Sequence, residues 1–402
     1  MAKTEDQIAG AVDNVNEAFF DAIIRHQIGL LRVSGKIRND VVAILDATEA
    51  DIAEQIRRRL KNSQSISRQT ALIESIRAIR NEAWRKSAAV WREEIIDVAK
   101  AEPAFMAQAL KTVAPVTLDL ALPAASTLTT IATQKPFEGK LLREWSKDIA
   151  RADLGRIEQA IKIGITQGES SAAIARRVVG TVAQKGKDGV TEITRRQANA
   201  ITRTAVMGVT NQAKREFYNE NAALFDSEIY VATLDSRTTP ICQSLDGNKY
   251  PVGEGPIPPM HIQCRSTRVA SVDGEAIGTR PYKATTEQEL VREYNRANGT
   301  TATSRSALPR GHKGQFDSFA RQRIREKTGT LDAKVTYQDW LTRQSKEFQG
   351  DVLGQTRAKL FRDGNLKLDK FVNRRGDEIP LSVLAQKEAS AFRAAGLNPE
   401  DF

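Results

Sequence analysis

Ile8, Val12, Val15, Phe19 and Ile23 recur at steps of four, three, four and four, so the chain opens on the apolar stripe of a helix. Leu72, Ile76, Ile79, Ala83, Val90 and Val98 repeat that pattern and predict a second long helix. Turn-like breaks are expected between them at SGKIRND (34–40) and KNSQSIS (61–67), where small and polar residues cluster. The stretch 114–135 is rich in Ala, Thr and Pro and reads as a connector or a surface-packed segment. Helical periodicity resumes over 141–179 and 194–221, with the Gly/Lys-rich loop AQKGKDG (183–189) between. Residues 157–180 have the outline of a helix-turn-helix: two amphipathic runs hinge on Gly168, and Ser170 is placed to cap the second. Short helix pairs are also common packing units, and the pattern serves either use.

The period then changes. SEIYVATLDS (227–236) mixes β-branched and aromatic residues and predicts a strand, as does STRVASV (266–272). Between them lies a compact Pro/Gly-rich region with DG and EG turn signals. Residues 278–310 read as polar loop, GHKGQ (311–315) as a flexible basic loop, 336–361 as a last helical section and 364–386 as a small terminal piece. The expected fold is α+β and predominantly α-helical: a long N-terminal helical region, a small α+β domain and a C-terminal helical tail. The corresponding domains are 1–135, 136–275 and 276–402. No doubly wound parallel sheet is expected.

Size and charge sharpen this picture. A chain of 402 residues exceeds what one core organises. With 40% hydrophobic and 27% charged residues the composition is that of a globular protein, and with 6% aromatics its cores must lean on Ile, Leu, Val and Ala. The net charge of +10 is uneven: residues 1–100 hold 16 Lys/Arg against 15 Asp/Glu, whereas 140–215 hold 15 against 7, a net of +8. Such a surplus is the footprint of a surface meeting phosphates or an acidic partner, and equally of a solvated face that aids solubility. Arg176, Arg177, Arg195 and Arg196 are the candidate nucleic-acid contacts within it. The two cysteines make no disulfide framework. The opening MAKTEDQIAGAVDN has no apolar core of a secretory signal, and the apolar stretch 113–132 is broken by Pro115, Asp119 and Pro123, so a soluble protein is expected.

Thirteen residues in order carry a family likeness: Asp235, Arg237, Thr238, Pro240, Cys242, Leu245, Asp246, Gly247, Pro258, Pro259, His261, Cys264 and Arg265. Together with the preceding helix ANAITRTAVMGVTNQAKREFY (198–218), this stretch resembles the central domain of phage Mu F-like minor head, or head-morphogenesis, proteins. The likeness covers roughly 141–272. Two family cysteine positions are lost, to Thr239 and Ser266. The resemblance implies a structural and DNA-handling virion component and not an enzyme. It would lie in the capsid near the portal vertex and act in head morphogenesis, DNA packaging or DNA ejection. Its partners would be the portal protein, packaged DNA and copies of itself, and the near-neutral N-terminal third is the part expected to make the protein contact.

What remains of the family's Cys/His pattern is Cys242, His261 and Cys264. A structural zinc wants four protein ligands, and Asp235 is the carboxylate candidate for the fourth. The alternative is a metal-free remnant held by Pro-rich turns and a small apolar core, so the expected cofactor is none or one structural zinc. Asp246-Gly247 reads as a turn in which Gly supplies a positive φ and Asp caps its own backbone. Pro256, Pro258 and Pro259 stiffen the loop that follows. Arg237 and Arg265 are expected to pair with Asp235 or Asp246 internally, the other use being an outward contact with phosphate. A second function class is a metal-dependent hydrolase or nuclease acting on nucleic acid, with Asp235 or Asp246 as base. Against it, the chain has no His-Glu-x-x-His, no phosphate-cradling glycine loop and no Gly-x-Ser-x-Gly elbow. The other histidines, His26 and His312, stand in unrelated contexts.

Overall fold

A computed structural model describes residues 5–60, 65–272 and 274–402, with side chains from Val12 onward. The Ile8 side chain and the 61–64 part of the second expected break therefore lie outside what is described. The chain begins with α1 (Glu5–Asp46), α2 (Glu49–Leu60) and α3 (Ile66–Val113). Along α1 the residues Phe19, Ile23, Leu30, Ile37, Val41 and Leu45 are all buried, one seam at helical spacing. The expected break at 34–40 is absent: the helix runs straight through it. Ser34 lies on the buried seam and its hydroxyl donates to Leu31 O at 2.8 Å, so the helix itself satisfies the polar group.

After α3 an extended stretch leads to α4 (Ala125–Gln134), then α5 (Leu142–Thr166), α6 (Ser171–Val179) and α7 (Thr191–Glu220). The connector thus contains a helix, anchored by buried Leu128, Ile131 and Ala132. Ser170 caps α6 as expected, accepting from Ala173 N at 3.2 Å. One hydrophobic core joins α1, α3, α4, α5 and α7 around Trp84, Trp91, Ile149 and Val206. A second joins α2, α3, α5 and α6 through Ile56, Ile76, Ile161 and Ile174. Helix α7 is the spine against which α1 and α3 both pack.

Two three-stranded sheets follow. In the first, β1 (Ser227–Val231) lies between β3 (Lys249–Tyr250) and β4 (Thr267–Ser271), all antiparallel, with Tyr230 opposite Arg268 and Val231 opposite Thr267. Successive side chains of β1 face opposite ways: Ile229 and Val231 enter a core with Phe19, Phe20, Met106 and Phe217, whereas Tyr230 and Ala232 join Cys242 and Cys264. Short helix α8 (Pro240–Leu245) starts with proline at its first position, after β2 (Leu234–Asp235). In the second sheet β2 pairs in parallel with β5 (Thr279–Lys283), which pairs antiparallel with β6 (Thr328–Asp332).

Residues 278–310 are not loop throughout: they hold β5 and α9 (Glu287–Asn298), and the expected basic loop at 311–315 is instead the start of α10 (His312–Glu326). These helices bury few residues, mainly Leu290, Val291, Tyr294 and Phe316, so their polar sequences hid them. The chain ends in short helices α11 (Tyr337–Thr342), α12 (Lys346–Leu353), α13 (Gln355–Arg362), α14 (Leu381–Lys387) and α15 (Ala389–Ala394) around Trp340, Phe348, Phe371 and Phe392. The architecture is the expected helix-rich α+β. Among the described residues, no helix is long and apolar enough to cross a membrane.

Candidate functional site

The site forms where the chain crosses itself between α8 and β4. Thr239 precedes α8, which carries Cys242 on its buried face. Gly247, at φ 81°, then turns the chain, and an added Cβ there would meet the Thr336 side chain at 2.7 Å. The expected glycine role holds. Asp246 behaves differently from the self-capping residue expected: its buried carboxylate accepts from Ala232 N and Tyr337 N, both at 2.6 Å, and from Arg280 at 2.9 and 3.0 Å. Long-range donors have displaced local turn chemistry, and they tie both sheets to the C-terminal helices.

The Pro-rich loop returns over α7, with a cis peptide between Pro258 and Pro259. Arg268 on β4 holds it down, donating to Glu254 O at 2.9 Å and Pro256 O at 3.0 Å and lying over the Tyr250 ring. A tight turn closes the loop: Cys264 N donates to His261 O at 3.1 Å, Gln263 has φ 64°, and Gln263 N donates to Thr204 Oγ1 on α7. This turn brings His261 and Cys264 to one side.

Cys242, His261 and Cys264 converge. One ligand atom from each lies within 4.8 Å of the others, and the two Sγ atoms are 3.7 Å apart. Both sulfurs are buried, and Tyr230 Oη is 3.3 Å from Cys242 Sγ. The Cys242 thiol donating to Cys264 holds the Cys264 thiol down to about 6 despite burial; the same bond, with burial added, pushes Cys242 up to about 12. Burial works against protonation of His261, but Cys242, the Ile262 carbonyl and the Glu138 charge together outweigh this and raise it.

Asp235, expected as the fourth ligand, does not join this group. Arg265 takes both its oxygens in a fork at 2.5 and 2.7 Å, with Arg237 N adding 2.9 Å and the Arg237 guanidinium 3.7 Å. Both oxygens of this carboxylate are thus already held by arginine. The expected internal pairing of Arg265 and Arg237 is present, on Asp235.

The four arginines separate. Arg195 is tied to Asp46 at 2.9 Å and Glu49 at 2.6 Å, and Arg177 to Glu169 and to Gln167 at 3.0 Å. Arg176 is exposed, and Arg196 is exposed with Glu192 at 3.1 Å. The apolar face of α6, Ile174, Ala175 and Val178, is spent on packing against α2 and α5.

Sequence reasoning missed a buried polar chain along α7. Lys214, wholly buried, donates to Thr267 Oγ1 at 2.9 Å and sits 3.6 Å from Glu102, which meets His26 at 2.8 Å. His26 also stacks on Phe105 at 3.7 Å. Its signal was a lone lysine on the buried side of a helix, following Thr210 and Asn211.

This geometry can now be set beside known proteins. Residues 155–269, from within α5 to β4, match the family model described as Phage Mu protein F like protein. Over that segment the chain is similar to phage Mu F-like proteins. The match includes all of the Cys/His crossing and the spine helix beneath it, and it relates the chain to phage head proteins. No curated protein and no solved structure matches the chain.

Proposed function

We propose that this phage Mu F-like chain is a minor head protein of a tailed phage, lying in the capsid near the portal vertex. It would act in head morphogenesis, DNA packaging or DNA ejection, with the portal protein, copies of itself and packaged DNA as partners. The observation that supports this reading is the match over 155–269, whose landmark residues lie in one interlocked crossing on α7. The Asp235–Arg265 and Asp246–Arg280 pairs of this crossing are engaged in holding the chain together, as a structural part requires. Immunogold labelling of purified virions should place the protein at one vertex, and heads assembled without it should be defective in shape or DNA content. Absence from virions and from head precursors alike would overturn the reading.

Contact with DNA rests on the basic surplus of 140–215. Arg176 and Arg196 are its exposed members; Arg177 and Arg195 serve internal pairs. Reversing Arg176 and Arg196 to Glu should weaken DNA binding and flatten its salt dependence. Equal affinity and slope in the double variant would return this face to a solubility role. The hydrolase or nuclease reading gains no support from the geometry, because Arg265 occupies the Asp235 carboxylate and Arg280 that of Asp246. Divalent-dependent cleavage of DNA that is lost in Asp235→Asn would restore it.

A further inference from the structure

We infer that Cys242, His261 and Cys264 form a structural zinc site whose fourth position lies at Ser266. Four observations converge. Zinc bound tetrahedrally by thiolates at about 2.3 Å sets its sulfurs about 3.8 Å apart; here they are 3.7 Å apart. His261 Nδ1 is 2.9 Å from Ile262 O, a contact only an N–H can make, which leaves the Nε2 lone pair for a metal. A carbonyl held by the far ring nitrogen is the usual support of a ligating histidine. Ser266 lies two residues beyond Cys264, just before β4, and is buried. Finally, Thr239 caps nothing at the start of α8, and its buried Oγ1 has no hydrogen-bond partner.

The charge balance suits a buried ion. With both cysteines bound as thiolates, their two negative charges cancel the two positive charges of zinc, so no net charge is left in the apolar surround of Tyr230, Ala232 and Leu245. Borderline-soft thiolate and imidazole ligands select zinc over magnesium or calcium. The ion would fasten α8, the end of the Pro-rich loop and the start of β4 at one point. Ser266 supplies a hydroxyl, or positions a water, where a fourth thiolate would fit.

The test uses the full chain, purified under reducing conditions without chelator. Elemental analysis should find about one zinc per chain. Cobalt(II) added to chelator-stripped protein should give thiolate charge-transfer absorption with the intense visible bands of a tetrahedral site. Ser266→Cys should bind zinc at least about tenfold more tightly in competition with a chromophoric chelator, as a fourth strong ligand replaces a weak one. Cys264→Ser should abolish the cobalt spectrum; should that variant fail to fold, cobalt titration of the unaltered chain and of Ser266→Cys still decides. Protein free of zinc and giving no thiolate–cobalt band would overturn the site. So would non-reducing peptide mapping that finds Cys242 and Cys264 joined as a disulfide in the native chain. Neither result bears on whether the protein resides in the virion, so the two readings fail separately.

Discussion

Asp235 shows how much one side chain holds at the crossing. It is 3% exposed, both its oxygens are taken by a largely buried Arg265, and Tyr337 from α11 donates to its backbone carbonyl at 2.8 Å. Removing one partner strands the other charge in a dry environment, so Asp235→Ala should lower stability by about 3–5 kcal/mol in urea denaturation. A loss under about 1 kcal/mol would mean the pair behaves like a surface bridge. Burial alone would raise this carboxyl, but the Arg265 hydrogen bonds and charge, aided by Arg237, hold it below its ordinary 3.8. A carboxylate depressed on folding adds stability above its unfolded value and loses it as the pH falls through the folded one. The melting temperature should therefore fall as the pH drops below 3.8, and less so in Asp235→Asn. The Asp235 pairing was readable in the sequence because both candidate arginines flank the same motif. The Arg280 partner of Asp246 was not, since it sits in a segment that reads as polar loop and meets Asp246 only through the second sheet. Lys214 and Glu102 were hidden for a similar reason: a lone charge on a helix looks solvated until a third element covers it.

Elements were legible where burial follows one face and illegible where a local signal competes with packing. The apolar spacing of α1 and α3, the cap at Ser170 and the switch to strands at 227 all follow local rules that the structure keeps. The small residues at 34–40 looked like a turn, yet Ile37 and Val41 are fully buried and carry α1 onward, so tertiary contact overrides composition. Gly35 tests that continuity. It lies in mid-helix, and a Cβ built there meets nothing within 4 Å. Gly35→Ala should therefore stabilise the protein by about 0.5–1 kcal/mol, because alanine loses less backbone entropy in a helix. A destabilised variant would mean that 34–40 is a turn after all. Helices α9 and α10 escaped because each hides only two or three apolar residues behind a charged exterior, including the Arg305–Asp317 bridge at 2.6 Å.

At the scale of the molecule, the N-terminal helices and the phage Mu F-like segment share their interiors. Leu30, Ile37, Trp84 and Trp91 pack with Ala198, Val206 and Met207 of α7, and Phe19, Phe20 and Ile23 close the core beneath β1 and β4. Polar ties follow the same route. Arg80 is buried and donates to Asp153 on α5 at 2.6 and 2.9 Å, Trp91 Nε1 donates to Thr202 at 2.7 Å, and Asp46 and Glu49 hold Arg195. The N-terminal third, expected to make the partner contact, cannot then be cut away to test that contact. Deleting residues 1–100 would bare the apolar faces of α5 and α7 and strip Asp153 of its arginine. Leu→Ala changes in cores cost roughly 2–5 kcal/mol each, and this deletion removes several such residues against a total stability of about 5–15 kcal/mol. The truncated chain should be insoluble, or soluble only as a state that binds hydrophobic dye and melts without cooperativity. A soluble 101–402 fragment with a sharp thermal transition would show that the segment holds its own core. Partner mapping should accordingly keep the fold whole and alter exposed positions singly, beginning with Ile28 and Val33 on the outer face of α1. Loss of portal co-purification in such a variant, with its melting temperature unchanged, would assign the contact to this face; retention would move it to another.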